Sequence, residues 1–193
     1  MPRPRIPDRR ERLLDAAEGL VLARGFDAVN VATIAAEAGV GKGAVYLEFS
    51  SKHAILDALL QRGNARIADR VRRELGDHPS LSAAYRASAR ALLDDPLMSA
   101  AFLDDRGILG VHALATTDDR YRARHAGVVT WLQRLQEQGR IVEDVTAEAL
   151  ALALSSATIG LLSAARLLGP LDAAQLESAI DAIGQMAASF ERE

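Results

Sequence analysis

The sequence predicts an all-α protein, and three observations carry that reading. Hydrophobic residues make up 49% of the chain but aromatic ones only 4%, with alanine and leucine abundant, a composition that favours helices over sheets. Apolar residues recur at three- and four-residue intervals, and no stretch shows the two-residue alternation of a half-buried strand. The six prolines sit at plausible segment ends, and short Gly, Pro or Asp turns separate the periodic stretches. A chain of 193 residues can bury a core as one mid-sized domain or as a small domain joined to a larger one.

The first helix is read from Asp8 to Arg24, where Leu13, Leu14, Ala17, Leu20 and Val21 share one face and Gly25 ends it. Asn30 is a good N-cap for a second, short helix whose apolar face is Val31, Ile34, Ala35 and Ala38, before Gly39 stops it. GVGK then makes a glycine-flanked turn into a third short helix, Gly43 to Phe49, with Val45, Tyr46 and Phe49 as anchors. Ser50 or Ser51 caps a long helix in which Ile55, Leu59, Gly63, Ile67, Val71 and Leu75 recur every four residues, long enough to link two modules. After GDHPS, helical patterns run over Leu81 to Leu93, Pro96 to His112, Asp118 to Gln138, Thr146 to Leu168 and Asp172 to Arg192.

Charge and composition narrow the function classes. The net charge of -3 is unfavourable for holding a polyanion, but residues 1–53 carry eight Lys plus Arg against seven Asp plus Glu, so the acidic excess lies beyond them. Arg3, Arg5, Arg9, Arg10 and Arg12 outnumber Asp8 and Glu11 at the start, giving a basic arm able to follow a phosphate backbone, or else a frayed, solvated terminus. The absence of cysteine excludes disulfides, thiolate nucleophiles and thiolate zinc sites, and makes reducing cytoplasm the natural compartment. No apolar signal core follows the charged N-terminus, so export is not expected. Residues 149–165 run 17 positions without a charge, but serines, a threonine and a glycine dilute them, and a buried soluble helix with no membrane partner is expected. His53, His78, His112 and His125 lack metal-ligand spacing, and the Asp94–Asp95, Asp104–Asp105 and Asp118–Asp119 pairs sit at helix ends, where capping explains them. No cofactor and no catalytic constellation are expected, so the chain is not read as an enzyme.

The segment ATIAAEAGVGKGAVYLEF has what a helix-turn-helix joint needs. Ala35 and Ala38 keep the bracing helix slim, Gly39 permits a left-handed turn, Val40 plugs the joint, and Lys42 with Gly43 opens the next helix. Spacing alone would also suit an ordinary helical hairpin. GFDAVNVATIAAEAGVGKGAVYLEFSSKHAIL, however, resembles the DNA-binding module of the TetR family of transcriptional repressors over roughly residues 8–60. The likeness rests on Gly25 and Phe26, Ile34 and Ala35, Ala38, Gly39 and Val40, Lys42 and Gly43, Tyr46, Phe49 and Lys52. It implies an all-helical dimer with an N-terminal DNA-binding domain and a C-terminal domain for dimerisation and ligand capture. Gly41 and Ala44 depart from the hydroxylated residues common in the family, and Leu47 and Glu48 stand where relatives are often polar or aromatic. The operator sequence therefore cannot be carried over.

The expected domains are 1–52, a helix-turn-helix DNA-binding domain with its basic arm; 53–76, a linking helix; and 77–193, for ligand binding and dimerisation. Lys42 and Lys52, the only lysines, are expected against phosphate or base acceptors, and Tyr46 to donate to phosphate with its ring packed in the domain. Thr33 stands where a helix N-terminus can receive a phosphate, although Asn30 can serve as cap there. Gly43 and Ala44 allow close approach, and Ala44 or Leu47 can rest against a thymine methyl. Glu48 would repel phosphate, so it turns away, pairs with an arginine or accepts from cytosine. Tyr85, Met98, Phe102, Arg106, His112, Val128 and Trp131 combine large apolar groups with a few polar ones, as a ligand cavity does; simple core packing explains them almost as well. Residues 146–192 offer small and apolar faces, Ala153, Ala157, Gly160 and Ala164 among them, suited to a four-helix bundle between two copies. The function expected is a repressor released from a palindromic double-stranded operator by a small, largely apolar effector. The alternatives are a regulator under a protein partner or no effector, and a helical carrier or enzyme.

Overall fold

The computed structural model of the chain describes residues 8–102, 108, 119–168 and 171–192. Among them are nine α-helices: α1 (Arg9–Arg24), α2 (Val31–Glu37), α3 (Lys42–Tyr46), α4 (Lys52–Leu75), α5 (Leu81–Leu93), α6 (Pro96–Phe102), α7 (Asp119–Glu137), α8 (Ala147–Leu167) and α9 (Ala173–Ala188). The described residues pair in β fashion only at one antiparallel bridge, between Ile141 and Glu191. They fall into two compact units, one drawn from Met1–Asn64 and Pro96–Thr116, the other from Ala65–Asp95 and Thr117–Glu193.

In the first unit the apolar face of α1 is buried as its periodicity requires: Leu13, Leu14, Ala17, Leu20 and Val21 all leave water. Phe26 and Val29 from the following turn, Ile34 and Ala35 from α2 with its C-cap Ala38, Val45 and Phe49 around α3, and Ile55, Leu56 and Leu59 from α4 complete this core. Burying each large aliphatic side chain is worth roughly 1.5–3 kcal/mol, and this is what holds helices of seven and five residues that would not persist alone. Asn30 caps α2 through a full capping box: its Oδ1 accepts from Thr33 N–H at 2.9 Å, and the Thr33 hydroxyl accepts from Asn30 N–H at 3.1 Å. Gly39 takes φ +65°, so the chain reverses between α2 and α3 where a Cβ would strain the backbone.

The second unit packs α5 against α9 and α7 against α8. One cluster gathers Leu81, Leu132, Leu135, Ile141, Leu150 and Ala187; another gathers Tyr85, Ala89, Leu161 and Ile180. The end of the chain is tied in, with Val142 N–H donating to the Phe190 carbonyl at 2.8 Å and Ser82 N–H to Glu191 Oε1 at 2.6 Å.

Two expectations change. The third helix ends at Tyr46, with Leu47 as its C-cap, and residues up to Phe49 continue only as a turn, Phe49 N–H donating to the Val45 carbonyl. The uncharged run in α8 is not a buried helix within this chain, because only 28% of the window Ala147–Ala164 is covered. Leu152 is 61% exposed and Ile159 44%, and Ala149, Ala153, Ser156 and Gly160 lie open on the same helix. By length and composition this is a helix that could cross a membrane, the only such one among the described residues. The helix read from Pro96 to His112 is seen as far as Phe102; most of the rest lies outside the described residues.

Candidate nucleic-acid interface

With Val45 and Phe49 pointing into the core, the geometry of a short helix forces the residues between them outward. Leu47 is therefore 75% exposed and Tyr46 51%, while Lys42 and Gly43 are open at the helix start and Ala44 is half-buried. Tyr46 was expected to keep its ring packed; the ring instead stands largely in solvent, because Val45 takes the inward position. An exposed leucine and tyrosine thus lie beside a lysine on a helix anchored to the core through Val45.

Thr33 is engaged locally. Its N–H bonds Asn30 Oδ1 and its hydroxyl donates to the Asn30 carbonyl at 2.7 Å, so Asn30 and Thr33 together close the start of α2. Lys52 also has a role inside the chain that its position in the sequence did not reveal. Its Nζ donates to the carbonyls of Phe26 and Val29, both at 2.9 Å, and sits 4.2 Å above the Phe26 ring, pinning the turn between α1 and α2 to the start of α4.

The arginines read as a basic arm divide. Arg3 and Arg5 lie outside the described residues, whereas Arg9, Arg10 and Arg12 belong to α1 and turn onto the helix-turn-helix. Arg9 pairs with the Glu48 carboxylate, its Nε at 2.9 Å from Oε1 and a second guanidinium nitrogen on the same oxygen. Arg10 donates to the Glu48 carbonyl at 3.2 Å and stacks 4.4 Å from the Phe49 ring. Arg12 donates to the Ala38 carbonyl at 2.6 Å, at the entry to the turn. Of the fates open to Glu48, pairing with an arginine is the one adopted. From α4, Arg62 reaches Glu11 at 3.2 Å and Asp15 and Glu18 at 2.6 Å each on α1. Burial works against its charge, but the hydrogen bonds to those carboxylates outweigh it and raise its pKa. The spacing of Glu11, Asp15 and Glu18 by four and three residues, which places them on one helix face, was the available signal for such a partner.

Comparison with known proteins decides the family. A family model described as "Bacterial regulatory proteins, tetR family" matches residues 13–59, from α1 to the first turns of α4. The HTH-type transcriptional repressor KstR of Rhodococcus jostii (strain RHA1) is 30% identical over 149 residues, 72% of this chain and 69% of the relative. The chain belongs to the TetR family. This TetR-family chain is a DNA-binding transcriptional regulator, not an enzyme. The fold agrees over nearly the whole length. A TetR-family transcriptional regulator from Rhodococcus sp. superposes with a TM-score of 0.74 at 21% identity, covering 94% of this chain and 99% of that one. The fatty acid degradation regulator FadR from Bacillus halodurans does so with a TM-score of 0.69 at 16% identity, covering 96% of each.

The residues named for a ligand site divide between the units. In the second, Tyr85 is buried beside Ala89, Leu161 and Ile180, and its hydroxyl is hydrogen-bonded to Thr158 Oγ1 at 3.3 Å. Burial raises the Tyr85 pKa, partly offset by that hydrogen bond. Val128 and Trp131 pack on the neighbouring cluster of Leu81, Leu132 and Leu150, and Leu154 borders both clusters. Met98 is buried and belongs, with Phe102, to the first unit; Arg106 and His112 lie outside the described residues.

Proposed function

We propose that the chain is a homodimeric repressor that reads a palindromic operator with α3 and releases it when a small, largely apolar molecule binds its C-terminal helices. The observation that carries the reading is the short helix α3, fixed by buried Val45 and Phe49 and turning Lys42, Tyr46 and Leu47 outward. In this reading Lys42 and Tyr46 meet phosphate or base acceptors, Gly43 and Ala44 let the helix approach, and Leu47 rests on a thymine methyl. Thr33 and Lys52 support the interface from its edges, through the cap of α2 and the turn after α1. Residues 1–52 act as the DNA-binding domain, 53–76 as the linking helix and 77–193 as the ligand and dimer domain, working in the cytoplasm where the DNA lies.

A second copy is the proposed cover for the open face of α8. Leu152, Ala153, Ile159 and Gly160 are joined by Met186 on α9, 66% exposed, which suits two helices packing on their symmetry mates better than a membrane span. For the effector, Tyr85 with Thr158 supplies a polar anchor in apolar surroundings, and Trp131 lies in the adjoining cluster. Because one structural neighbour is named a fatty acid degradation regulator, a long-chain acyl compound is a sensible first probe.

Selection from random-sequence duplex DNA, followed by light scattering of the complex, tests the reading. Enrichment of a palindrome bound by two protomers, or by two dimers, is expected. Failure to enrich any sequence, or one protomer on a non-palindromic site, overturns it.

A further inference from the structure

Glu48 places a carboxylate next to Leu47 and Tyr46, the most exposed large apolar residues of the proposed DNA-reading surface. An anion there would oppose the phosphates of a duplex laid on α3. The carboxylate is not left to water. Arg9, from the first turn of α1, grips Oε1 with two guanidinium nitrogens, and Arg10 holds the Glu48 carbonyl at 3.2 Å while lying on the Phe49 ring. Both members of the ion pair are largely covered, their side chains 20% and 22% exposed, so the pair is less screened than a surface one.

We infer that Arg9 is a positioning residue for operator binding: it neutralises Glu48 and holds it off the DNA, rather than clamping a phosphate itself. This rests on α3 being the reading helix. It gives the basic start of α1 a function unlike the one its composition suggests, since the charge is used within the protein and releases no counterion on binding.

The test is operator affinity, by fluorescence anisotropy across a salt series, on a duplex selected by the parent protein from random-sequence DNA. Arg9→Met should weaken binding roughly three- to tenfold, the cost of one unmasked like charge. The double variant Arg9→Met/Glu48→Gln should return to within about twofold of the parent, with the parent's salt slope. Arg9→Lys, which keeps the charge and disturbs the fold least, should stay near the parent. If the double variant stays as weak as Arg9→Met and its log K against log salt slope is flatter by about one unit, Arg9 is a phosphate clamp and the inference fails. It fails equally if Arg9→Met lowers the melting temperature but leaves affinity unchanged, a purely structural role. Lys42→Ala, run alongside, separates this from the underlying reading: if that variant also binds like the parent, α3 is not the DNA-reading helix.

Discussion

Asn30 and Thr33 show how single side chains decide whether a seven-residue helix exists. Two of their three mutual hydrogen bonds satisfy backbone amides that α2 cannot satisfy internally, and Asn30→Ala should lower stability by about 1 kcal/mol in urea denaturation while leaving the buried face of α2 unchanged. Tyr85 carries a pH dependence of known sign. Burial favours its neutral hydroxyl and holds the folded pKa above the ordinary 10.0. Its contribution is therefore complete below pH 10.0 and is lost as pH rises further, because the unfolded chain ionises first. Stability should fall more steeply above about pH 10 in the parent than in Tyr85→Phe, and equal slopes would remove Tyr85 as the cause. Caps and glycine turns of this kind were legible in the sequence, since Asn30 and Gly39 act through neighbours three or four residues away. The roles of Arg9, Arg10, Arg12 and Lys52 were not: each bonds a group more than twenty residues distant, and a list of basic residues cannot tell a phosphate clamp from an internal staple.

Among the helices, α1 and α4 are joined by charge as well as by their apolar faces. Arg62 gathers Glu11, Asp15 and Glu18, and Arg62→Met would remove the guanidinium that these three carboxylates share. A loss of about 1–2 kcal/mol is expected, held to that range because two of the carboxylates are largely exposed, and it should grow at low salt. Chemical denaturation at two ionic strengths measures it, and an unchanged midpoint at both would show that packing alone joins the helices. Periodicity marked α1, α2, α5 and the starts of α8 and α9 to within a residue or two, because each has an apolar face and all but α1 a side-chain N-cap. It overran α3, where the apolar pattern continues through Phe49 although the helix itself stops at Tyr46. It also misjudged α8, since an apolar run reads alike whether a helix is covered by its own chain or left open.

At the scale of the whole molecule, operator reading by α3 and dimerisation through α8 and α9 depend on each other in the proposed mechanism. Gly160 lies open on α8 with nothing within 4 Å of where a Cβ would stand, so Gly160→Arg should leave the protomer folded and yet place a charge in the proposed dimer face. Light scattering should then report monomers, and tight operator binding should be lost with residues 1–60 untouched, because one head reads only half of a palindrome. Effector binding should quench or shift Trp131, the only tryptophan, and by linkage the operator must weaken effector binding by the factor the effector weakens operator binding. The most direct measurement is anisotropy of the selected duplex with the parent and with Lys42→Ala, a substitution at an exposed position at the start of α3, over a salt series. The account expects the variant to remain dimeric and fully helical while losing on the order of 1 kcal/mol or more of operator affinity. A folded, dimeric Lys42→Ala that binds the duplex as tightly as the parent at every salt concentration would contradict it.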